Sequence, residues 1–131
     1  MSATNSKSSL GMFVDKLLAF FEDLMETYPE EKEIRYAVDA ISMAKKMNPR
    51  LILDLFTDYV SKPLHDAILA ENEEVVIPYA KNQIQNQFNE MSPALIIFDK
   101  HWTTMTDANR KAIWNHMKVL ILLSDKAMTR F

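Results

Sequence analysis

The sequence predicts an all-α fold, a single-domain bundle of six to seven helices with the C-terminal helix in a central position. Three observations support this class. Glycine occurs once in 131 residues, at Gly11, and this scarcity disfavours β architectures, whose tight turns need glycine. Apolar residues recur at steps of three and four through most of the chain, which is the period of one helix face. Five prolines lie about one helix length apart, and we interpret them as helix starts and breaks.

Two helices are predicted in the first third of the chain. The first covers about residues 9–28, and its apolar stripe consists of Val14, Leu17, Leu18, Phe21, Leu24, Met25 and Tyr28. The second covers about residues 30–47, with its stripe at Ile34, Ala37, Val38, Ile41 and Ala44. Glutamates occupy the first turn of this helix, and Lys45 and Lys46 occupy its last. That charge order complements the helix dipole.

The middle of the chain is expected to be less regular. Asn48 and Pro49 predict the start of the third helix, because they combine an N-cap residue with a proline at the first helical position. A shorter helix follows at about residues 61–70. Residues 75–78 are rich in β-branched side chains and too few to build a sheet, so we expect an extended link there. A weakly apolar helix is expected at 79–91, anchored by Ile84, Phe88 and Met91.

Two further helices complete the predicted bundle. One begins at Ser92 and Pro93 and runs through Trp102. The last is capped by Thr106 and extends to about residue 128. Its apolar residues lie on several sides, a pattern typical of a helix at the centre of a bundle.

The domain is expected to span residues 9–131, with a flexible N-terminal arm at 1–8. This arm is polar and lacks the apolar segment of a signal peptide. We interpret it as a disordered tail or as an arm that orders on a partner, and secretion is not expected. Apolar runs such as 94–98 and 119–123 are far shorter than the roughly 20 residues that a membrane-spanning helix needs.

Residue types that carry enzyme and metal chemistry form no recognisable pattern. The absence of cysteine excludes thiolate zinc sites and cysteine nucleophiles. His65, His101 and His116 lack the i, i+4 spacing of a zinc-binding helix, and no hydrolase triad stands at a family-specific spacing. We therefore predict a non-enzymatic protein with no catalytic, cofactor-binding or metal-binding residues, no cofactor and no small-molecule ligand.

Charge disfavours nucleic acid as a partner, because the net charge is −3 and basic residues cluster only weakly. Acidic residues dominate positions 1–33, and basic residues dominate positions 100–131. The acidic front and the basic back are compatible with pairing inside one bundle or between copies. Ordinary solvated helix faces with a dipole bias would look the same.

Large apolar side chains point to a surface for protein partners. Aromatic and methionine residues exceed what a slim bundle needs to bury, and both are favoured at protein interfaces. We predict that partners bind an exposed second stripe formed by Met12, Phe13, Phe20, Met43 and Met47. A large aromatic core is the alternative interpretation.

Residues 101–124 combine a tryptophan, a short capped polar turn, the run Lys111-Ala112-Ile113-Trp114 and an apolar helix. Residues 29–32 and 48–50 add similar features to the front half. This pattern resembles small uncharacterised all-helical proteins of nucleocytoplasmic large DNA viruses of algae and amoebae. The resemblance covers most of the chain and carries no catalytic residues. It implies a viral origin, in which such proteins serve as capsid-associated or virion components, or as host-interaction factors.

Two functional hypotheses follow. The first is a non-enzymatic viral structural protein, a minor capsid or virion-associated component. It would act through helix-mediated contacts with other virion or capsid proteins, or with itself, in the virion or in the cytoplasm of the infected cell. The alternative is an intracellular adaptor that binds a host or viral partner helix in an apolar groove. A preformed groove of peptide width would favour the adaptor.

Overall fold

Seven α-helical segments follow one another in the computed structural model, which describes residues 8–86 and 92–128, and only the backbone of 84–86, 93 and 94. The segments are α1 (Ser9–Thr27), α2 (Lys32–Met47), α3 (Pro49–Phe56), α4 (Lys62–Leu69), α5 (Glu73–Asn86), α6 (Ser92–Ile96) and α7 (Asp107–Met128). The predicted all-α class is confirmed. The predicted anchors Phe88 and Met91, the side chain of Ile84, and the arm apart from Ser8 lie outside the described residues.

Side-chain caps start α1, α5 and α7, and the cap of α5 is Asn72, whose side-chain oxygen accepts from the Glu74 N–H at 3.1 Å. The Ser8 hydroxyl accepts a hydrogen bond from the Gly11 N–H at 3.0 Å and begins α1. The Thr106 hydroxyl accepts from the Asn109 N–H at 3.2 Å and begins α7, as predicted. Each cap satisfies an N–H that has no partner within its own helix.

The third and fourth predicted helices form one continuous run, because a π-helical turn at Thr57–Ser61 joins α3 to α4. Pro63 lies in the first turn of α4 and has no N–H to donate to the carbonyl of Tyr59, four residues earlier. The hydroxyl of Tyr79 donates to that carbonyl instead, at 2.5 Å. A side chain of α5 thus replaces part of the helix ladder.

The extended link predicted at 75–78 is wrong, since these residues belong to α5, with Pro78 inside the helix. Val76 and Ala80 lie four residues apart, and both are fully buried. An interior proline costs a helix about 3 kcal/mol. Full burial of one valine side chain contributes about 1.5–3 kcal/mol, and the Tyr79 hydrogen bond adds to it. Tertiary packing therefore offsets both the proline and the local β preference.

An aromatic core fills the bundle, which confirms the alternative interpretation of the aromatic content. Every described phenylalanine and tryptophan is buried. Trp102 contacts Phe98 and Trp114, with ring centroids 4.8 and 5.4 Å apart. The Arg110 guanidinium lies 5.5 Å from the centre of the Trp102 ring, and its Nε donates to the Trp102 carbonyl at 2.9 Å. These contacts fasten the start of α7 to the turn that precedes it.

Helix α1 occupies the most central position, because it packs against α2, α3 and α7. The sequence predicted the C-terminal helix in the central position. Helix α7 packs against α1 and α4, but its residues Val119 and Leu122 are 41% and 57% exposed. Among the helices described, none combines the length and the apolarity that crossing a bilayer requires.

Candidate partner-binding surface

The five residues predicted to bind partners do not form one surface. Phe13 and Phe20 are 0% and 2% exposed, so the prediction that they belong to an exposed stripe is wrong. Phe13 packs edge-on against Phe56, with ring centroids 5.0 Å apart, and Phe20 lies against the imidazole of His116 on α7 at 5.1 Å. The side of α1 that the sequence predicted to be exposed is covered by neighbouring helices.

The three methionines of that prediction are exposed, but they lie on different helices. Met12 is on α1, one turn before Lys16, which faces α7 across a surface cavity. Met43 and Met47 are on α2 and are 64% and 78% exposed. Only these two can contribute to one continuous surface.

Met43 and Met47 belong to a longer apolar row along α2, which we call the outer stripe and define as Tyr36, Ala40, Met43 and Met47. All four are exposed, and Tyr36 reaches 66%. Their spacing of four, three and four residues places them in one line. The opposite face of α2 carries the buried residues Ile34, Ala37, Val38 and Ile41. Sequence reasoning missed Tyr36 and Ala40, although the same spacing was visible.

Charges border the outer stripe on one side only. Lys32, Asp39 and Lys46 recur every seven residues along this border, and all three are exposed. Within residues 8–86 and 92–128, neither Asp39 nor Lys46 has an ion-pair partner. The other border contains Ala44, whose side chain is too small to shield the stripe, and it adjoins Ala37 of the buried face.

Packing and an ion pair hold the outer stripe in a fixed position. Helix α2 packs against α1 and α3. Lys45 of α2 lies 2.8 Å from the carboxylate of Asp15 of α1. The stripe is therefore presented on a helix whose orientation is set by the core, which favours a preorganised contact surface.

A second apolar surface is the groove between α1 and α7. The two helices run antiparallel, so Lys16 faces Val119 at one end and Tyr28 faces Asn109 at the other. Two cavities of about 340 and 140 Å³ lie along it. They share the residues Ala112 and His116. The groove is shallow and mainly apolar.

A buried carboxylate connects the two ends of the chain. Glu31 is buried and accepts hydrogen bonds from His101 Nε2 at 2.7 Å and Lys100 Nζ at 3.3 Å. Burial raises the pKa of Glu31, but the bonds from His101 and Lys100 outweigh it and hold the pKa below its ordinary value. The Tyr28 ring stacks on His101 with centroids 4.2 Å apart. Glu31 thus pairs the acidic segment, positions 1–33, with the basic segment, positions 100–131, inside one bundle.

Glu30 lies close to the same pair, so that Glu30, Glu31 and His101 offer three metal-ligand atoms within 4.8 Å of one another. The Glu31 carboxylate is already bound to a lysine and a histidine, and Glu30 is exposed. This arrangement is that of a structural ion pair. The prediction that the chain binds no metal stays a prediction.

His65 and the carboxylate of Glu71 also connect elements of the bundle. His65 of α4 contacts Asp125 of α7 at 2.7 Å, and this hydrogen bond raises the pKa of His65. Glu71, in the turn before α5, accepts from Lys111 at 2.8 Å and from Lys118. These two bonds lower the pKa of Glu71. His65 and Glu71 each bind a described partner on another element. We therefore interpret both as contacts that hold the helices of the bundle together.

Comparison with known proteins adds no relative. No family model matches the chain, and no similarity to a curated protein or to a solved structure is detected. The resemblance to proteins of large DNA viruses stays a prediction.

Proposed function

We propose that this protein is a non-enzymatic helical interaction domain, and that it binds its protein partner through the outer stripe of α2. The observation that supports this most is the outer stripe itself. Its apolar side chains are spaced three and four residues apart, as in paired helices, on the solvent side of α2. Tyr36, Met43 and Met47 are each more than 60% exposed, and contiguous exposed apolar surface typically marks a binding site. Tyrosine and methionine are also side-chain types enriched at protein interfaces.

The energetics favour docking of a helix on this stripe. Each of the three large side chains would contribute about 1–2 kcal/mol on losing its remaining exposed area. The stripe contributes nothing comparable to folding, because its side chains stay in solvent. A partner helix that covers the stripe is the simplest way to bury them, since ridges of one helix pack into grooves of another.

The biological setting that we propose is a virion. There the protein would act as a minor capsid or virion-associated component that contacts other virion or capsid proteins, or itself. The particle or the cytoplasm of the infected cell is the proposed location. Abundance of the chain at a fixed ratio to capsid protein in purified particles would support this setting. Absence from particles would remove it without affecting the binding surface.

The direct test is site-specific photo-crosslinking. A photoreactive residue placed at Met43 should form one defined protein adduct, and the same residue placed at the exposed Glu22 of α1 should not. The adduct should disappear when Tyr36 and Met47 are changed to serine. A matched control changes exposed apolar residues elsewhere to serine and should keep the adduct; it carries Leu69→Ser, Val75→Ser and Leu122→Ser. Equal, unspecific crosslinking from positions 43 and 22 would refute the proposed surface.

The α1–α7 groove favours a second candidate, an adaptor that binds a partner helix there. An apolar floor between two antiparallel helices is the usual form of a helix-binding groove. Filling the groove with Ala112→Trp should then abolish binding, whereas the serine changes on the outer stripe should not. The opposite result would assign binding to the outer stripe. Ala112 is exposed, so the larger side chain need not disturb the core.

A further inference from the structure

We propose that the partner of the outer stripe is a second copy of this chain, whose α2 lies antiparallel to the first across a two-fold axis. This inference rests on the proposed function and names the occupant of the same surface. A two-fold arrangement uses one patch on both copies and closes on itself, as most small homo-oligomers do.

The first argument is spacing. Tyr36, Ala40, Met43 and Met47 follow the alternating four- and three-residue steps of a coiled-coil seam, in which two apolar positions repeat every seven residues. Two such seams interlock side chain into hole when their helices cross at a small angle. The stripe spans about 17 Å along the helix axis at 1.5 Å per residue, which is three turns.

The second argument is side-chain volume, and it selects the antiparallel orientation. With the axis between Ala40 and Met43, Tyr36 faces the partner's Met47, and Ala40 faces the partner's Met43. The two inner layers then set a small residue against a large one, and each end layer sets tyrosine against a flexible methionine. A parallel pair would set Ala40 against the partner's Ala40 and leave a gap between two crowded layers, whereas good packing alternates large with small.

The third argument is charge, and it selects the same orientation. In an antiparallel pair, residues on the charged border of one helix face the same border of its partner. Asp39 then lies opposite the partner's Lys46, and the two-fold axis generates the pair twice. A parallel pair would place this border against the partner's Ala37 and Ala44, with no complementary charge. Within the described chain neither Asp39 nor Lys46 has an ion-pair partner, so both are available.

The size of the surface sets the strength of the dimer. One seam of three turns is smaller than the roughly 800 Å² per partner of a standard interface. The dimer should therefore form with a dissociation constant in the micromolar range, on the order of 10–100 µM.

The test is sedimentation equilibrium on the full chain from 5 µM to 1 mM. The wild-type chain should dimerise. Asp39→Lys places two lysines opposite each other in both symmetry-related pairs along the charged border, and Lys46→Asp places two aspartates in each pair. Each single variant should therefore bind itself at least about tenfold more weakly than the wild type.

An equimolar mixture of the two variants provides the sharpest outcome. One variant then carries lysine at 39 and 46, and the other carries aspartate at both positions, so both cross-pairs become opposite in sign. The mixture should form a one-to-one heterodimer at least as tightly as the wild type, as native mass spectrometry with one isotope-labelled chain can show. Both sites are exposed, and unchanged melting curves will confirm that each variant folds.

Three results would overturn the inference: a wild-type monomer at 1 mM, single variants that dimerise like the wild type, or a mixture without heterodimer. Failure of the inference is separable from failure of the proposed function. A monomeric chain that crosslinks from position 43 to a different protein would keep the function and remove the self-pairing. A crosslinked product of twice the mass of the chain would support both.

Discussion

The contact between Glu31 and His101 gives a quantitative test of how the two ends of the chain are held together. The Glu31 side chain is 7% exposed and accepts from His101 Nε2 at 2.7 Å. A hydrogen bond to a charged group contributes about 1.5–3 kcal/mol when buried. Lys100 is 55% exposed, so its share is about 0.5 kcal/mol or less. We expect Glu31→Ala to lower the free energy of unfolding by about 2 kcal/mol.

Thermal unfolding monitored by circular dichroism measures this effect. With an unfolding entropy of about 2.1 cal/mol/K per residue, a loss of 2 kcal/mol lowers the Tm of a 131-residue chain by about 7 °C. Lys100→Ala should lower it by less than about 2 °C. Comparable losses for these two variants, or a shift below 2 °C for Glu31→Ala, would refute the assignment of the stabilisation to the Glu31–His101 bond.

The same contact predicts a pH dependence. Burial raises the pKa of Glu31, and the bonds from His101 and Lys100 lower it further than burial raises it, so the folded-state pKa lies below its ordinary value of 4.5. The contribution is therefore fully present above pH 4.5 and is lost as the pH falls through the folded-state pKa. The stability difference between wild type and Glu31→Gln should shrink below pH 4.5. A difference that stayed constant down to pH 2.5 would contradict this assignment.

Three further expectations concern the core, a histidine and a cap. Phe13→Ala should cost about 3–5 kcal/mol in urea unfolding because the ring is fully buried, whereas Met43→Ser should stay within about 0.5 kcal/mol; equal costs would mean that the outer stripe belongs to the fold. The Asp125 hydrogen bond raises the pKa of His65 above its ordinary 6.5, so Asp125→Asn should destabilise most below pH 6.5, and this loss should shrink as the pH rises through the folded-state pKa of His65; an NMR titration in which Asp125→Asn leaves the His65 pKa unchanged would exclude this. Thr106→Ala should lower the free energy of unfolding by about 1 kcal/mol, and Thr106→Ser should restore most of it. An alanine variant as stable as the wild type would show that the Thr106 cap does not stabilise α7.

The strongly periodic helices could be predicted from sequence because their signals are local. The start of α7 at Thr106 and the proline in the first turn of α3 follow from the chemistry of a few adjacent residues. The extended link predicted at 75–78 also rested on a clear local signal, the run of β-branched residues. The structure has a helix there instead. Val76 and Ala80 are buried by neighbouring helices, and burial of one face overrides intrinsic preference.

The candidate surface could be predicted only in part. Periodicity places Phe13 and Phe20 on α1, but it does not reveal that α1 has helices on several sides. A helix in that position buries a wide arc of its circumference, and both rings fall within it. Met43 and Met47 were predicted as exposed, and they are. The full stripe with Tyr36 follows once the buried face of α2 is known.

The sequence by itself determined the helical class, most helix boundaries and the cap at Thr106, because these depend on contacts within about one turn; the cap predicted at Asn48 makes no side-chain hydrogen bond. Of the outer stripe it predicted only Met43 and Met47, because Tyr36 and Ala40 join them only once the buried face of α2 is known. Only the tertiary structure decided which apolar faces are covered and which charges meet. Glu31 and His101 lie 70 residues apart, and no local pattern encodes a contact over that distance. Burial and pairing across helices depend on how whole elements pack, and that packing leaves the apolar row of α2 in solvent.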